Sequence, residues 1–125
     1  VTFELFLMVA IGGFVGAPAR YLLDRTISGR FESDLPWGTF LINISGSLLL
    51  GLVTGLSLSH HFSPLAKALV GTGFCGAYTT FSTFTLETLR LFEVGQYANA
   101  ALNVTVSTLV GLAGAGVGLA IGLAF

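Results

Sequence analysis

Charge is the scarcest commodity in this chain: five Lys and Arg and six Asp and Glu serve 125 residues, far too few to coat a water-soluble globule. Lipid is the solvent such a surface suits. The balance of one net negative charge comes with no basic cluster, no zinc-ligand spacing and no interleaving of aromatic with basic residues, which argues against nucleic acid as a partner. A single cysteine, Cys75, forbids an intrachain disulfide, and its apolar neighbours suggest a buried thiol without a redox role. No nucleophile, base and orienting acid fall into a recognisable set, and no phosphate loop occurs, so the sequence does not read as an enzyme. His60 and His61 stand side by side without a cysteine or carboxylate nearby and are too few to hold zinc.

What the chain has in abundance is uncharged apolar sequence, cut into blocks by turn-forming and charged residues. The first runs from Phe3 to about Leu23. Its start could pass for a secretory leader, but acidic Glu4 in front and further apolar runs behind favour a first spanning helix. Asp24 to Pro36 gathers five of the charges with Ser, Gly and Pro, and reads as a loop or an interfacial helix. Trp37 opens a second run to Ser59, of about 34 Å as a helix, with the tryptophan as an interface anchor. His60 to Pro64 is a tight connection. The third block spans about Leu65 to Phe92 and the fourth runs from Val94 or Gly95 to Phe125. Strands are a poor alternative, because a spanning barrel needs at least about eight short alternating segments. The expected fold is an all-α membrane protein with four transmembrane helices, a single unit over residues 1–125.

Small residues recur at helical spacing as Gly12-xxx-Gly16, Ser47-xxx-Gly51-xxx-Gly55 and Gly114-xxx-Gly118-xxx-Gly122, the pattern by which membrane helices approach closely. The third block is different. After a helical start it becomes TGFCGAYTTFSTFT, with glycines and hydroxyls at the expected depth of the bilayer centre. Non-helical backbone in hydrocarbon is tolerated only where protein, water or an ion meets it. A break near residues 73 to 80 is therefore expected, with Thr79 or Thr80 capping a helix that begins near Phe81. Carbonyls ending the first half suit a small cation, and N–H groups opening the second suit an anion.

The remaining polar groups inside apolar blocks form stripes: Thr39, Asn43 and Ser47 on one face of the second helix, and Asn99, Asn103 and Ser107 on the fourth. Two roles are open to them, interhelical hydrogen bonding and replacement of an ion's water shell, with Asn99 leaning to the former or to simple solvation. Amides and hydroxyls without acidic neighbours suit an anion better than a cation, although their oxygens can also face a cation. Phe81 and Phe84 share a face, either for packing and lipid contact or to turn electropositive ring edges toward an anion. Arg20 either anchors its helix or draws anions into a vestibule. Glu87 reads as a network partner or structural carboxylate.

The segments GGFVGAPARY (Gly12 to Tyr21), WGTFLINISGSLLLG (Trp37 to Gly51) and, most specifically, GFCGAYTTFSTFTLE (Gly73 to Glu87) resemble the Fluc or CrcB family of fluoride channels, and the likeness covers nearly the whole chain. The resemblance implies a passive fluoride exporter of the bacterial inner membrane, multi-pass, assembled as an antiparallel, dual-topology homodimer with two fluoride pathways. It implies that Asn43 lines the pathway at a turn inside the second helix and that Phe81 and Phe84 are the aromatic box, one from each subunit per pore. Thr80 and Ser107 would belong to a polar track, and Arg20 would be the vestibule arginine. The carbonyls of Gly76 and Thr79 would surround a structural sodium ion (Na+) at the dimer axis. Two departures stand out: Ala77 where relatives often have glycine, and Asn103 where they often have a bulkier aromatic. Arg25, Arg30 and Arg90 against Lys67 give a weak charge bias that by itself would not suggest opposed subunits. The competing class is a proton-coupled carrier of fluoride or another small ion, and the lack of a mid-membrane carboxylate in the first helix argues against it. Four helices packed through small residues leave no polar channel among themselves, so a path forms most easily where subunits meet.

Overall fold

Thr2 starts the first helix by accepting the Leu5 amide on its hydroxyl at 3.2 Å, and Glu4 in the first turn complements the helix dipole. In the computed structural model, which describes residues 2–125, this helix α1 spans Phe3–Arg30. It thus runs a full two turns past the apolar block, through residues the sequence assigned to a loop or interfacial helix. Local side-chain bonds at i, i+4 spacing sustain the extension: Thr26 Oγ1 to the Leu22 carbonyl (2.8 Å), Arg25 Nη1 to the Tyr21 hydroxyl (3.2 Å) and Ser28 Oγ to Asp24 Oδ1 (3.3 Å). Only residues 31–36 form the connection.

Helix α2, Trp37–Leu58, follows Pro36 directly, and Trp37 sits between Phe31 and Phe40 with ring centroids 5.8 Å from each. Its 22 residues give about 33 Å, enough to cross the hydrocarbon layer. Ser59 closes it, its hydroxyl reaching the carbonyls of Gly55 (2.9 Å) and, on the last helix, Gly122 (3.0 Å), while His60 turns the chain with a left-handed φ of 65°. Ser63 caps the next element through the Ala66 amide at 3.1 Å.

The third crossing is composite. A short turn α3 (Pro64–Lys67) passes into a π-helix (Ala68–Cys75) and one more turn α4 (Gly76–Tyr78); the chain then leaves helical conformation and re-enters it as α5 (Ser82–Glu93). Gly95, with φ of +83°, turns the chain into α6, Tyr97–Leu123. Among the described residues three helices are long and apolar enough to span alone, α1, α2 and α6, with mean hydropathy of 1.6 to 1.9; the third crossing, because of its break, is not one of them. The result is a four-crossing, multi-pass helical bundle with large apolar side chains such as Phe14, Leu109 and Leu112 turned outward.

The small-residue ridges hold it together. Those of α2 and α6 face each other, so that a Cβ on Gly55 would lie 2.8 Å from Gly122 Cα and one on Gly118 would lie 2.8 Å from the Leu52 amide. Gly12 and Gly16 of α1 receive the π-helical segment instead: a Cβ on Gly73 would lie 3.0 Å from Gly12 Cα and 2.7 Å from the Val9 carbonyl. Gly73 therefore serves close approach between helices, and the break falls after it. Gly118→Val should force α2 and α6 apart at a cost of about 1–3 kcal/mol, seen as a lowered thermal unfolding midpoint in detergent. Gly116→Val, whose Cβ meets nothing within 4 Å, should leave that midpoint unchanged.

Candidate functional site at the helix break

Where α4 ends, Thr79 takes an extended conformation (φ −81°, ψ 160°), and Phe81 (φ −93°, ψ −37°) leads into α5. The break therefore occupies residues 79–81, at the far end of the expected window, where the Thr79-Thr80 run stands. Thr79 stays tied to the first half, its amide and hydroxyl both reaching the Cys75 carbonyl at 3.0 and 2.9 Å. Thr80 belongs to the second half, its hydroxyl accepting the Thr83 amide at 3.2 Å in the capping role expected of it.

That leaves the Thr80 peptide groups without a helical ladder, in a part-buried position where unpaired backbone is costly. Asn43 supplies both partners. Its Nδ2 donates to the Thr80 carbonyl and its Oδ1 accepts the Thr80 amide, each at 2.8 Å. A carboxamide carries the same donor and acceptor as a peptide unit, so it can stand in for a missing strand of backbone. Asn43 does this from an unbroken α2, which corrects the expectation of a turn inside that helix; the irregularity lies wholly in the third crossing. Neighbouring residues of α2 complete the seat. Ser45 pairs with the Tyr78 hydroxyl at 2.9 Å, and Tyr78 stacks on Phe74 with centroids 5.2 Å apart. At Gly46 a Cβ would collide with the Thr79 methyl and lie 3.2 Å from Tyr78 Cδ2, so glycine is what lets the irregular chain lie against α2.

The break is one wall of a groove of about 390 Å³ lined by Asn43, Ser47, Thr79, Thr80, Phe81, Phe84 and Ser107, among others. Five of the six residues expected along an ion path are thus gathered in one place. The sixth, Arg20, lies in a separate cleft of about 230 Å³ with Tyr21, Asp24, Thr39 and Thr83, and Thr80 lines both spaces. The stripe of Thr39, Asn43 and Ser47 divides accordingly, with Thr39 facing the Arg20 cleft. Phe81 and Phe84 are 5.9 Å apart with planes tilted by 46°. Phe81 is 78% exposed, so the groove is open on that side. Glu87 lines a third cleft with Asp34 and Arg90, and its Oε1 is buried without a hydrogen-bond partner.

Of the polar stripe on α6, Asn99 bonds Gln96 at the start of its own helix (2.8 Å), away from the groove. Asn103 is buried between α5 and α6, donating from Nδ2 to Thr88 Oγ1 (2.8 Å) and accepting the Ser107 hydroxyl on Oδ1 (3.3 Å). Ala77 fits its place as ordinary packing, its methyl 3.8 Å from where a Cβ on Gly13 would be. Sequence reasoning missed Gly46, the Ser45 to Tyr78 pair and Thr88. Only Gly46 left a signal, a small residue one turn beyond Asn43 in a helix otherwise rich in leucine.

The groove offers hydroxyls, the second amide hydrogen of Asn43 and phenylalanine edges, and no carboxylate lines it. Such a surface can replace water around an anion. Residues 7–119 match the family described as CrcB-like protein, Camphor Resistance (CrcB). Fluoride-specific ion channel FluC 1 of Streptomyces avermitilis is 48% identical over 91% of this chain and 92% of its own length. Fluoride-specific ion channel FluC 1 of Frankia casuarinae is 46% identical over 93% and 94%. Fluoride-specific ion channel FluC of Shewanella sp. ANA-3 is 48% identical over 81% and 82%.

Replacing Asn43 by leucine should strip the Thr80 peptide of both partners and destabilise the fold by about 2–5 kcal/mol, two hydrogen bonds together with the desolvation penalty. Thermal unfolding in detergent checks this, and Asn43→Asp, which keeps only the acceptor, should fall between leucine and wild type.

Proposed function

Since this chain belongs to the CrcB family, we propose that its break and groove form the path of a passive fluoride-selective channel in the bacterial inner membrane. The need follows from weak-acid chemistry. Hydrogen fluoride crosses lipid as a neutral molecule, dissociates at neutral cytoplasmic pH and leaves an ion that cannot return unaided. A passive pore lets the membrane potential drive that ion out. The observation that carries the reading is the groove itself: neutral donors and ring edges, without a carboxylate, converging where Asn43 holds the broken backbone. A carrier coupled to protons would want an ionisable group in mid-membrane, whereas the one carboxylate of α1's first turn, Glu4, lies at the helix start.

Along this path Asn43 acts twice. Two of its polar contacts fix Thr80, and its second amide hydrogen is left for the ion. Thr80 and Ser107 offer hydroxyls, Phe81 and Phe84 offer edges, and Arg20 raises the local anion concentration at the mouth by its positive charge. Thr80 joins the mouth to the groove, since it lines both. Discrimination against chloride comes from the stronger hydrogen bonds that fluoride accepts.

The pathway is completed by a second copy of the chain, inserted in the opposite orientation, so that each of two pores takes Phe81 from one subunit and Phe84 from the other. Supporting this is the exposed ring of Phe81 beside a groove open to the outside. A structural sodium ion on the dimer axis fits the chain chemically. Because the Thr80 amide is bonded to Asn43, the Gly76 carbonyl loses the donor an unbroken helix would give it, and Gly76 is exposed with open space about its Cβ position. Gly76 and Thr79 would hold the ion through these carbonyls, and its charge would offset the clustering of carbonyl dipoles.

Purified protein in liposomes should release fluoride under an imposed potential and retain chloride, and release should continue when the proton gradient alone is collapsed. Equal loss of both halides would overturn the selectivity claim, and dependence on the proton gradient would replace the channel with a carrier.

A further inference from the structure

Three side chains between α5 and α6 form a hydrogen-bonded chain that runs in one direction. The Ser107 hydroxyl donates to Asn103 Oδ1 at 3.3 Å, Asn103 Nδ2 donates to Thr88 Oγ1 at 2.8 Å, and Thr88 Oγ1 donates to the Phe84 carbonyl at 2.8 Å. In this arrangement the single proton of Ser107 is spent on Asn103, so Ser107 turns only lone pairs to the groove it lines. Lone pairs repel an anion.

An amide turned end for end keeps the same shape with donor and acceptor exchanged. With Asn103 reversed, Nδ2 would donate to Ser107 Oγ and Oδ1 would accept the Thr88 proton. Every member stays partnered, and the Phe84 carbonyl, which loses Thr88, keeps its place in the α5 ladder. The Ser107 proton is then free to point into the groove. Asn103 is 6% exposed, so water does not compete for these bonds, and the long 3.3 Å link to Ser107 is the one most easily given up.

We infer that Asn103 is a positioning residue for anion passage, whose amide orientation decides whether Ser107 presents a proton or a lone pair to the groove. An anion beside Ser107 favours the reversed amide, because in the other state turning the Ser107 proton to the anion strips Asn103 Oδ1 of its partner. The inference rests on the fluoride-channel reading, and wild-type flux tests that reading separately.

The test is a double-mutant cycle read as fluoride efflux from liposomes, with gel-filtration position as the check on folding. Asn103→Asp is nearly isosteric but accepts only, so it should hold the Ser107 proton permanently and lower flux about tenfold or more, of the order of one hydrogen bond. Ser107→Ala should cost a similar factor, and the double variant should be no worse than either single one within about threefold. Losses that multiply, or an Asn103→Asp protein with wild-type flux, would overturn the inference. A wild type that moves no fluoride would instead sink the channel reading. If Asn103→Asp does not fold, the side-chain amide resonance of Asn103 in asparagine-labelled wild type decides: it should shift with fluoride and not with chloride, and lose that shift in Ser107→Ala. An amide signal indifferent to fluoride would overturn the inference.

Discussion

A peptide group set down in a bilayer must find a hydrogen-bond partner, and at Thr80 that partner is a side chain. The two 2.8 Å bonds between Asn43 and the Thr80 peptide allow the third crossing to stop being a helix without stranding its backbone. Much of the local architecture follows from this one pairing. Gly46 opens space for the irregular chain, the Ser45 to Tyr78 bond fixes the end of the first half, and the Thr80 hydroxyl restarts the second. Freed carbonyls at Gly76 and presented side chains at Thr80, Phe81 and Phe84 are consequences of the same interruption.

The rest of the bundle supplies rigidity where the break supplies none. Glycine faces on α2 and α6 bring two helices close enough for backbone contact, and Ser59 ties their ends through the Gly122 carbonyl. On the other side Gly12 and Gly16 receive the π-helical segment. In a solvent as apolar as the side chains, such close contact replaces the hydrophobic drive that holds a soluble core. The π-helix lies one turn before the break, in keeping with the tendency of such segments to occur at functional sites.

The four crossings and their small-residue faces were legible because length, apolarity and three- or four-residue spacing are local signals. So was the existence of an interruption in the third crossing. Its position was legible as a window: the sequence offers Gly73, Gly76 and the Thr79-Thr80 run as candidates, and the chain departs at the threonines, because Gly73 is occupied in packing against α1. The extension of α1 to Arg30 was left open by its charges, which suit a loop or an interfacial helix alike until the i, i+4 bonds of Tyr21 to Ser28 are drawn. Asn43 could be singled out as a polar group in an apolar helix, but its partner lies 37 residues away and is a backbone unit, which no pattern of side chains announces. Asn103 could be singled out as a polar group in the fourth crossing, but its bonds to Thr88 and Ser107 were not legible, because Thr88 lies on another helix.

The groove stays open beside the exposed ring of Phe81. The claim on which all of this depends is local, and solid-state NMR in lipid can address it at the atoms concerned. Transfer from the Thr80 amide nitrogen to the Asn43 side-chain carbonyl carbon should be strong, and Thr79 should show the carbon shifts of extended backbone. Helical shifts running unbroken from Tyr78 to Ser82, with the Thr80 amide bonded to the Gly76 carbonyl, would contradict the account.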